Sequence, residues 1–218
     1  IALGQILGVL QNQDMKALGA ENIHSWRWIG DASRIAFADR DYYVGDPAFV
    51  NVPTRALISQ AYLKPRAEEI HQSDKALETI QAGKFDKAYA QGIAVELPST
   101  SHLVVVDKDG NVVSMTTSIE NAFGSGLMAN GYLLNNELTD FAFNPVGADG
   151  KTVANSVAGG KRPRSSMAPT IVMKEGKPYL AVGSPGGSRI IGFVAKTLVA
   201  HIDWGMDIQA AISLPNML

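Results

Sequence analysis

Thr100 is followed by Ser101, His102 and the apolar run Leu103-Val104-Val105-Val106, which places a hydroxyl at the start of an expected strand. A threonine hydroxyl is a weak nucleophile and needs a nearby base that is half-deprotonated near neutral pH. An α-amine, with an ordinary pKa of about 7.7–8.0, meets that need. If the Ser99–Thr100 bond is cut, Thr100 carries both groups, and the expected chemistry is amide processing by a chain that first cuts itself. The competing reading is that threonine is simply a good strand residue, and spacing alone does not choose between the two.

Other residue groups could serve such chemistry. Gly183-Ser184-Pro185-Gly186-Gly187-Ser188-Arg189 lies between an expected strand and an expected helix, where successive backbone N–H groups can converge on an anion. That arrangement suits an oxyanion hole, a phosphate site or a plain tight turn. The phosphate reading is weakened by the absence of the G-x-x-x-x-G-K-[ST] and G-x-G-x-x-G spacings. Asn135-Asn136-Glu137 and Asp140 follow an apolar pair, and Ser165-Ser166 follow the basic Lys161-Arg162-Pro163-Arg164. Carboxylates could take the amine, and hydroxyls the carboxylate, of an amino-acid head group. The competing readings are an exposed loop and, for Asn135-Asn136, an Asx turn. His102 has no partner nearby in sequence and reads as structural.

These residues must be positioned by a helical first half and a strand-rich centre. Ile23, Trp26, Ile29 and Ile35-Ala36 fall near a 3.6 period between Asn22, a plausible cap, and the break at Gly45-Asp46-Pro47, which predicts an amphipathic helix of about five turns. Val52-Pro53 then leads to shorter helices over 54–63, 65–72 and 74–82, the last ending at Gly83 as at a C-cap. From 84 to 99 the periodicity fades, and that stretch reads as a linker or cleavage region. After Thr100 the period becomes strand-like. Asp109-Gly110 turns one hairpin between residues 104–107 and 112–118, and Lys174 to Lys177 turn a second between 170–173 and 178–182. Helical spacing returns from Ser188 to about Ile202 and from about Met206 to Ser213. Strands in the centre with helices on either side predict a layered α+β fold.

Composition removes several classes of function. The 218 residues are 46% hydrophobic and 18% charged, as expected of a globular chain. The formal net charge is −2 and no Lys/Arg block occurs, so the footprint of a nucleic-acid binder is missing. With no cysteine, disulfides, thiolate catalysis and Cys-ligated zinc are excluded. No apolar stretch is long enough to span a bilayer. The chain opens at Ile1 without methionine, which reads as a cut: a processed chain or, by preference, a segment of something longer.

Taken together, these stretches resemble the γ-glutamyltransferase family of N-terminal-nucleophile hydrolases. Phe37-Ala38-Asp39-Arg40, Gly45-Asp46-Pro47 and Val52-Pro53 look like the last part of the family's large subunit, and Thr100 onwards looks like the start of its small subunit. LLNNELTDF (133–141), RPRSSMAPT (162–170) and GSPGGSR (183–189) carry the rest of the likeness. The resemblance implies a four-layer αββα sandwich, incomplete in this fragment, divided into a large-subunit-like region 1–99 and a small-subunit-like region 100–218. It implies that Thr100 is freed by autoproteolysis and then takes up the glutamyl group, with Ser118 as the hydroxyl that supports it. Gly186 and Gly187 match the oxyanion-hole pair, Ser165 and Ser166 the hydroxyls that receive the α-carboxylate, and Asp140 and Glu137 the groups at the α-amine. No cofactor or metal is implied.

Two departures from the family pattern matter. Glu120 stands where glutathione-active members usually carry Asn, and similar segments occur in acylases of glutaryl-type amides. The chain also covers well under half of a typical member, and by the resemblance it lacks the upstream region with the carboxylate-binding arginine and the final strands. The expected activity is hydrolysis or transfer of a γ-glutamyl group, from a glutathione-like amide to water or to an amine or amino-acid acceptor, with large and small subunits staying associated after cleavage. The alternatives are a glutaryl or cephalosporin acylase and a non-catalytic fragment. The resemblance implies a periplasmic or secreted protein, with a cytoplasmic location the alternative.

Overall fold

In a computed structural model, residues 1–71, 74–86, 89–94 and 99–216 are described. They form helices α1 (Ala2–Leu10), α2 (Met15–Leu18), α3 (Ile23–Tyr43), α4 (Thr54–Leu57) and α5 (Gln60–His71), then strands β1 (Ser101–Val106), β2 (Val112–Thr117), β3 (Met128–Ala129) and β4 (Tyr132–Leu133). Strands β5 (Thr170–Lys174) and β6 (Lys177–Val182) follow, and helices α6 (Ile190–Ile202) and α7 (Ile208–Ser213) come last. The α+β expectation holds. Compactness divides the chain differently from a cut at 99/100: one unit comprises Ile1–Ile93, Phe141–Arg164 and Ala195–Leu218, the other Ala94–Asp140 and Ser165–Val194.

In the first unit α3 starts where Asn22 Oδ1 accepts the His24 N–H at 2.9 Å. Trp28, Ile29, Ala32, Ile35 and Ala36 are buried along one stripe of this helix. They share a core with Ile6 and Val9 of α1 and with Leu63, Ala67 and Ile70 of α5. Burying a residue such as Ile35 stabilises by about 1.5–3 kcal/mol. Helix α5 runs through Pro65 rather than dividing there, as the spacing suggested. The bond that Pro65 forfeits lies in the second turn, and Leu63, Ala67 and Ile70 keep the buried face continuous around it.

Residues 74–82 do not form the expected helix. Their backbone is drawn out by side chains of α3: Arg27 donates to Lys75 O at 2.9 Å, Arg34 to Leu77 O and to Glu78 O at 3.3 Å, and the Leu77 N–H donates to Asp31 at 3.3 Å. Gly83 is no C-cap. Its N–H donates to Asp39 at 2.8 Å, and a Cβ there would come within 2.2 Å of the Tyr62 hydroxyl. Of the stretch read as a linker, 87–88 and 95–98 lie outside the described residues, whereas Ala90 bridges Val153 and the Gly92 N–H donates to Asp41 O at 3.0 Å.

In the second unit β1 and β2 pair antiparallel from Ser101↔Thr117 to Val106↔Val112. Asp107 Oδ1 closes their turn by accepting the Asp109 and Asn111 N–H groups at 2.8 and 2.9 Å, with Gly110 at φ +83°. Strands β5 and β6 pair from Thr170↔Val182 to Lys174↔Lys177, so this turn is Glu175-Gly176 alone, tighter than the sequence suggested. Both residues have positive φ, +52° and +78°, as the type I′ form of a two-residue hairpin turn requires. Ser114 Oγ donates to Val182 O at 3.4 Å and ties the two hairpins. Among the described residues no helix is long and apolar enough to cross a membrane.

Candidate active site

The register of the β1–β2 hairpin creates the first contact of the site. Ser101 opposes Thr117, so the residues just beyond, Thr100 and Ser118, leave the same end of the ladder side by side. Thr100 Oγ1 stands 3.2 Å from Ser118 Oγ and 2.7 Å from the carbonyl oxygen of Ser99, and one hydroxyl proton serves either at a time. Ser118 Oγ donates to that same carbonyl at 2.7 Å and accepts the Glu120 N–H at 2.9 Å. Two hydroxyls thus converge on the oxygen of the Ser99–Thr100 peptide bond.

An open pocket lies over them, lined by Thr100, Ser118, Glu120, Glu137, Asp140, Ser165, Ser166, Met167, Gly187 and Ile190. Most residues proposed from sequence therefore meet in one place. Glu137 and Asp140 begin and end a 3₁₀ turn, with Asp140 buried. Ser165 is exposed and its Oγ accepts the Met167 N–H at 3.1 Å, while Ser166 is buried. Three carboxylates share the lining, and no Lys or Arg belongs to it.

The glycine loop forms the tight strand-to-helix connection that its composition suggested. Gly186 has φ +133° and Gly187 +58°, and Gly187–Arg189 form a 3₁₀ turn leading into α6. A helix start leaves its first N–H groups without intrahelical acceptors. Gly187 lines the pocket; Gly186 is not among the lining residues and lies against the Phe193 ring.

His102 is outside the lining, as its structural reading implied. Its Nδ1 lies 2.9 Å from Thr116 Oγ1, and its ring leaves no room for a Cβ at Gly183. Burial holds its pKa below the ordinary imidazole value. Sequence reasoning missed Met167 and Ile190, whose apolar side chains carry no chemical signature. It also missed Asn136. Asn135 makes the expected Asx contact, its Oδ1 accepting the Glu137 N–H at 3.0 Å, but Asn136 reaches across to residues 119–121.

This fold is shared with N-terminal-nucleophile hydrolases. A cephalosporin acylase from Bacillus halodurans superposes with a TM-score of 0.76 at 25% identity, covering 97% of this chain and 36% of the acylase. Residues 1–218 match the gamma-glutamyltranspeptidase family, and the chain belongs to it. Its curated relatives include the glutathione hydrolase proenzymes of Escherichia coli (strain K12), 42% identical over 99% of this chain, and Bacillus subtilis (strain 168), 40% identical over all of it. The chain spans 37% and 38% of those relatives' lengths.

Proposed function

We propose that this chain carries the self-cleavage junction and the acyl-binding pocket of a γ-glutamyl amide hydrolase and transferase. The observation that carries the reading is the convergence of Thr100 Oγ1 and Ser118 Oγ on the Ser99 carbonyl oxygen, each at 2.7 Å. In the first step Thr100 Oγ bonds to the Ser99 carbonyl carbon and the C–N bond of the peptide breaks. Its nitrogen takes up the proton that Thr100 Oγ gives up and becomes the Thr100 α-amine. Ser118, already donating to the carbonyl oxygen, opposes the negative charge that develops there. Water then splits the resulting ester and releases Thr100 as an N-terminus.

In the second step the freed α-amine draws the proton from Thr100 Oγ, which attacks the γ-carbonyl of the substrate. The N–H groups at the start of the Gly187 turn face the developing oxyanion, with Gly186 setting that turn. The amide C–N bond of the substrate then breaks, its amine leaving with the proton that the α-amine took, and the acyl-threonine ester passes to water or to an amine acceptor. Glu137 and Asp140 face the α-ammonium of the glutamyl head, and Ser165 and Ser166 its α-carboxylate. After cleavage the two parts of the chain stay associated.

The lining set favours a γ-glutamyl over a glutaryl substrate. Glu120, Glu137 and Asp140 offer an ammonium three carboxylates, whereas a glutaryl chain brings only a further negative charge toward them. Intact-mass measurement on the full-length gene product, with Thr100→Ala alongside, tests the reading. Two fragments, the second starting at Thr100 and seen only in the unmutated protein, together with γ-glutamyl anilide turnover above glutaryl anilide turnover, are the expected result. A protein that stays uncut, or turnover that persists in Thr100→Ala, would overturn it.

A further inference from the structure

The geometry points to Asn136 as a positioning residue that holds the Ser118 hydroxyl in place through the turn 119–121. This inference rests on the proposed self-cleavage at Ser99–Thr100. Beyond β2 the chain must pass through Glu120 at φ +70°, a left-handed conformation that disfavours residues with a Cβ. Glu120 is buried there, and its N–H is the donor held on Ser118 Oγ at 2.9 Å. Asn136 contributes three contacts to this turn. Asn136 Nδ2 donates to Glu120 Oε2 at 2.7 Å, Asn136 Oδ1 accepts the Asn121 N–H at 2.9 Å, and the Asn136 N–H donates to Ile119 O at 3.2 Å. Three successive residues are thus tied to a single side chain and its own backbone.

The residue type follows from the partners. A carboxylate on one side requires a donor and a backbone N–H on the other requires an acceptor, so the side chain must present one of each. Asn136 does so at the length this gap allows. Aspartate would set an oxygen against Glu120, and alanine would release both contacts. Through Glu120, Asn136 governs where the Ser118 hydroxyl sits relative to the Ser99 carbonyl, without touching either. The same contact fixes which way the Glu120 carboxylate faces in the pocket lining.

The complementarity provides its own test. In the full-length gene product, Asn136→Asp should slow fragment formation at least tenfold, because two carboxylates then meet. Adding Glu120→Gln restores a donor–acceptor pair with the polarity reversed, and cleavage should return to within about threefold of the unmutated rate. In a Thr100→Ala background, hydrogen exchange of the peptide covering 119–123 should quicken at least tenfold with Asn136→Asp and slow again in the double variant, whether or not the parent chain cuts itself. An Asn136→Asp protein with unchanged exchange, or a double variant no better than Asn136→Asp in either readout, would overturn the assignment. A parent that stays uncut while the exchange pattern holds would instead count against the self-cleavage reading alone.

Discussion

Thr100 Oγ1 and Ser118 Oγ lie 3.2 Å apart, and the Ser101↔Thr117 register of the hairpin places them there. Because Ser118 also donates to the Ser99 carbonyl at 2.7 Å, in the proposed self-cleavage its hydroxyl would both polarise the bond to be cut and support the attacking oxygen. Losing one donor aimed at a developing oxyanion costs about 10²–10³ in rate. Ser118→Ala should therefore slow fragment formation by about that factor, while Ser118→Thr, which keeps the hydroxyl, should stay within about tenfold of the parent. Quenched time courses of intact mass would read both, and an alanine variant that cuts at the parent rate would remove Ser118 from the step.

Asp140 is buried in the pocket lining beside the Glu137 of the same 3₁₀ turn. A charge-assisted hydrogen bond to an ammonium contributes about 1.5–3 kcal/mol, so Asp140→Asn should raise KM for γ-glutamyl anilides by about 10–100-fold. Glutaryl anilides have no α-amine and should show little change or a gain. Parallel kinetics with both substrates on the full-length variant decide the matter. An equal loss for both would mean that Asp140 shapes the pocket without binding the amine.

Legibility of this chain in its sequence depended on whether a segment's partners were local. Helix α3 and both long hairpins could be read because Asn22, Asp107-Gly110 and Glu175-Gly176 define their ends from within a few residues. The 74–82 segment could not. Its helical spacing is genuine, but Arg27, Arg34 and Asp31 take its backbone groups from more than forty positions away. The pocket residues were legible through the resemblance of their motifs, which carries identity but not geometry. The distance from Ser118 to the Ser99 carbonyl, the reach of Asn136 and the apolar contribution of Met167 and Ile190 came only with the fold.

The two loop glycines should respond unequally to a methyl group. Gly187 sits at φ +58°, where other residues are tolerated at a cost of about 1–2 kcal/mol. Gly186 sits at φ +133°, and a Cβ would also stand 2.8 Å from the Phe193 ring. Gly186→Ala should then lower the melting temperature more than Gly187→Ala and reduce turnover by tenfold or more, since the displaced turn carries the Gly187 N–H with it. Thermal melts beside steady-state rates would check the order. A Gly186→Ala protein as stable as the parent would show that the loop can be redrawn without penalty.

Asp46 provides a pH-dependent prediction away from the pocket. Its carboxylate accepts the Arg162 backbone N–H at 2.9 Å, the Ala48 N–H at 3.0 Å and the Arg162 guanidinium at 3.3 Å. These contacts, the Arg162 N–H foremost, hold its pKa at about 2, down from the ordinary 3.8. A carboxyl whose pKa is lowered on folding stabilises the folded state fully above its unfolded value. That contribution fades as pH falls through the folded value. The stability that Asp46 adds over Asp46→Asn should therefore be constant from neutral pH to about 5 and shrink from about pH 4 to pH 2. Urea midpoints of the two proteins across that range would record the closing gap. A gap that persists undiminished to pH 2 would mean that the carboxylate's charge contributes nothing and that the asparagine's altered hydrogen bonding accounts for the whole difference.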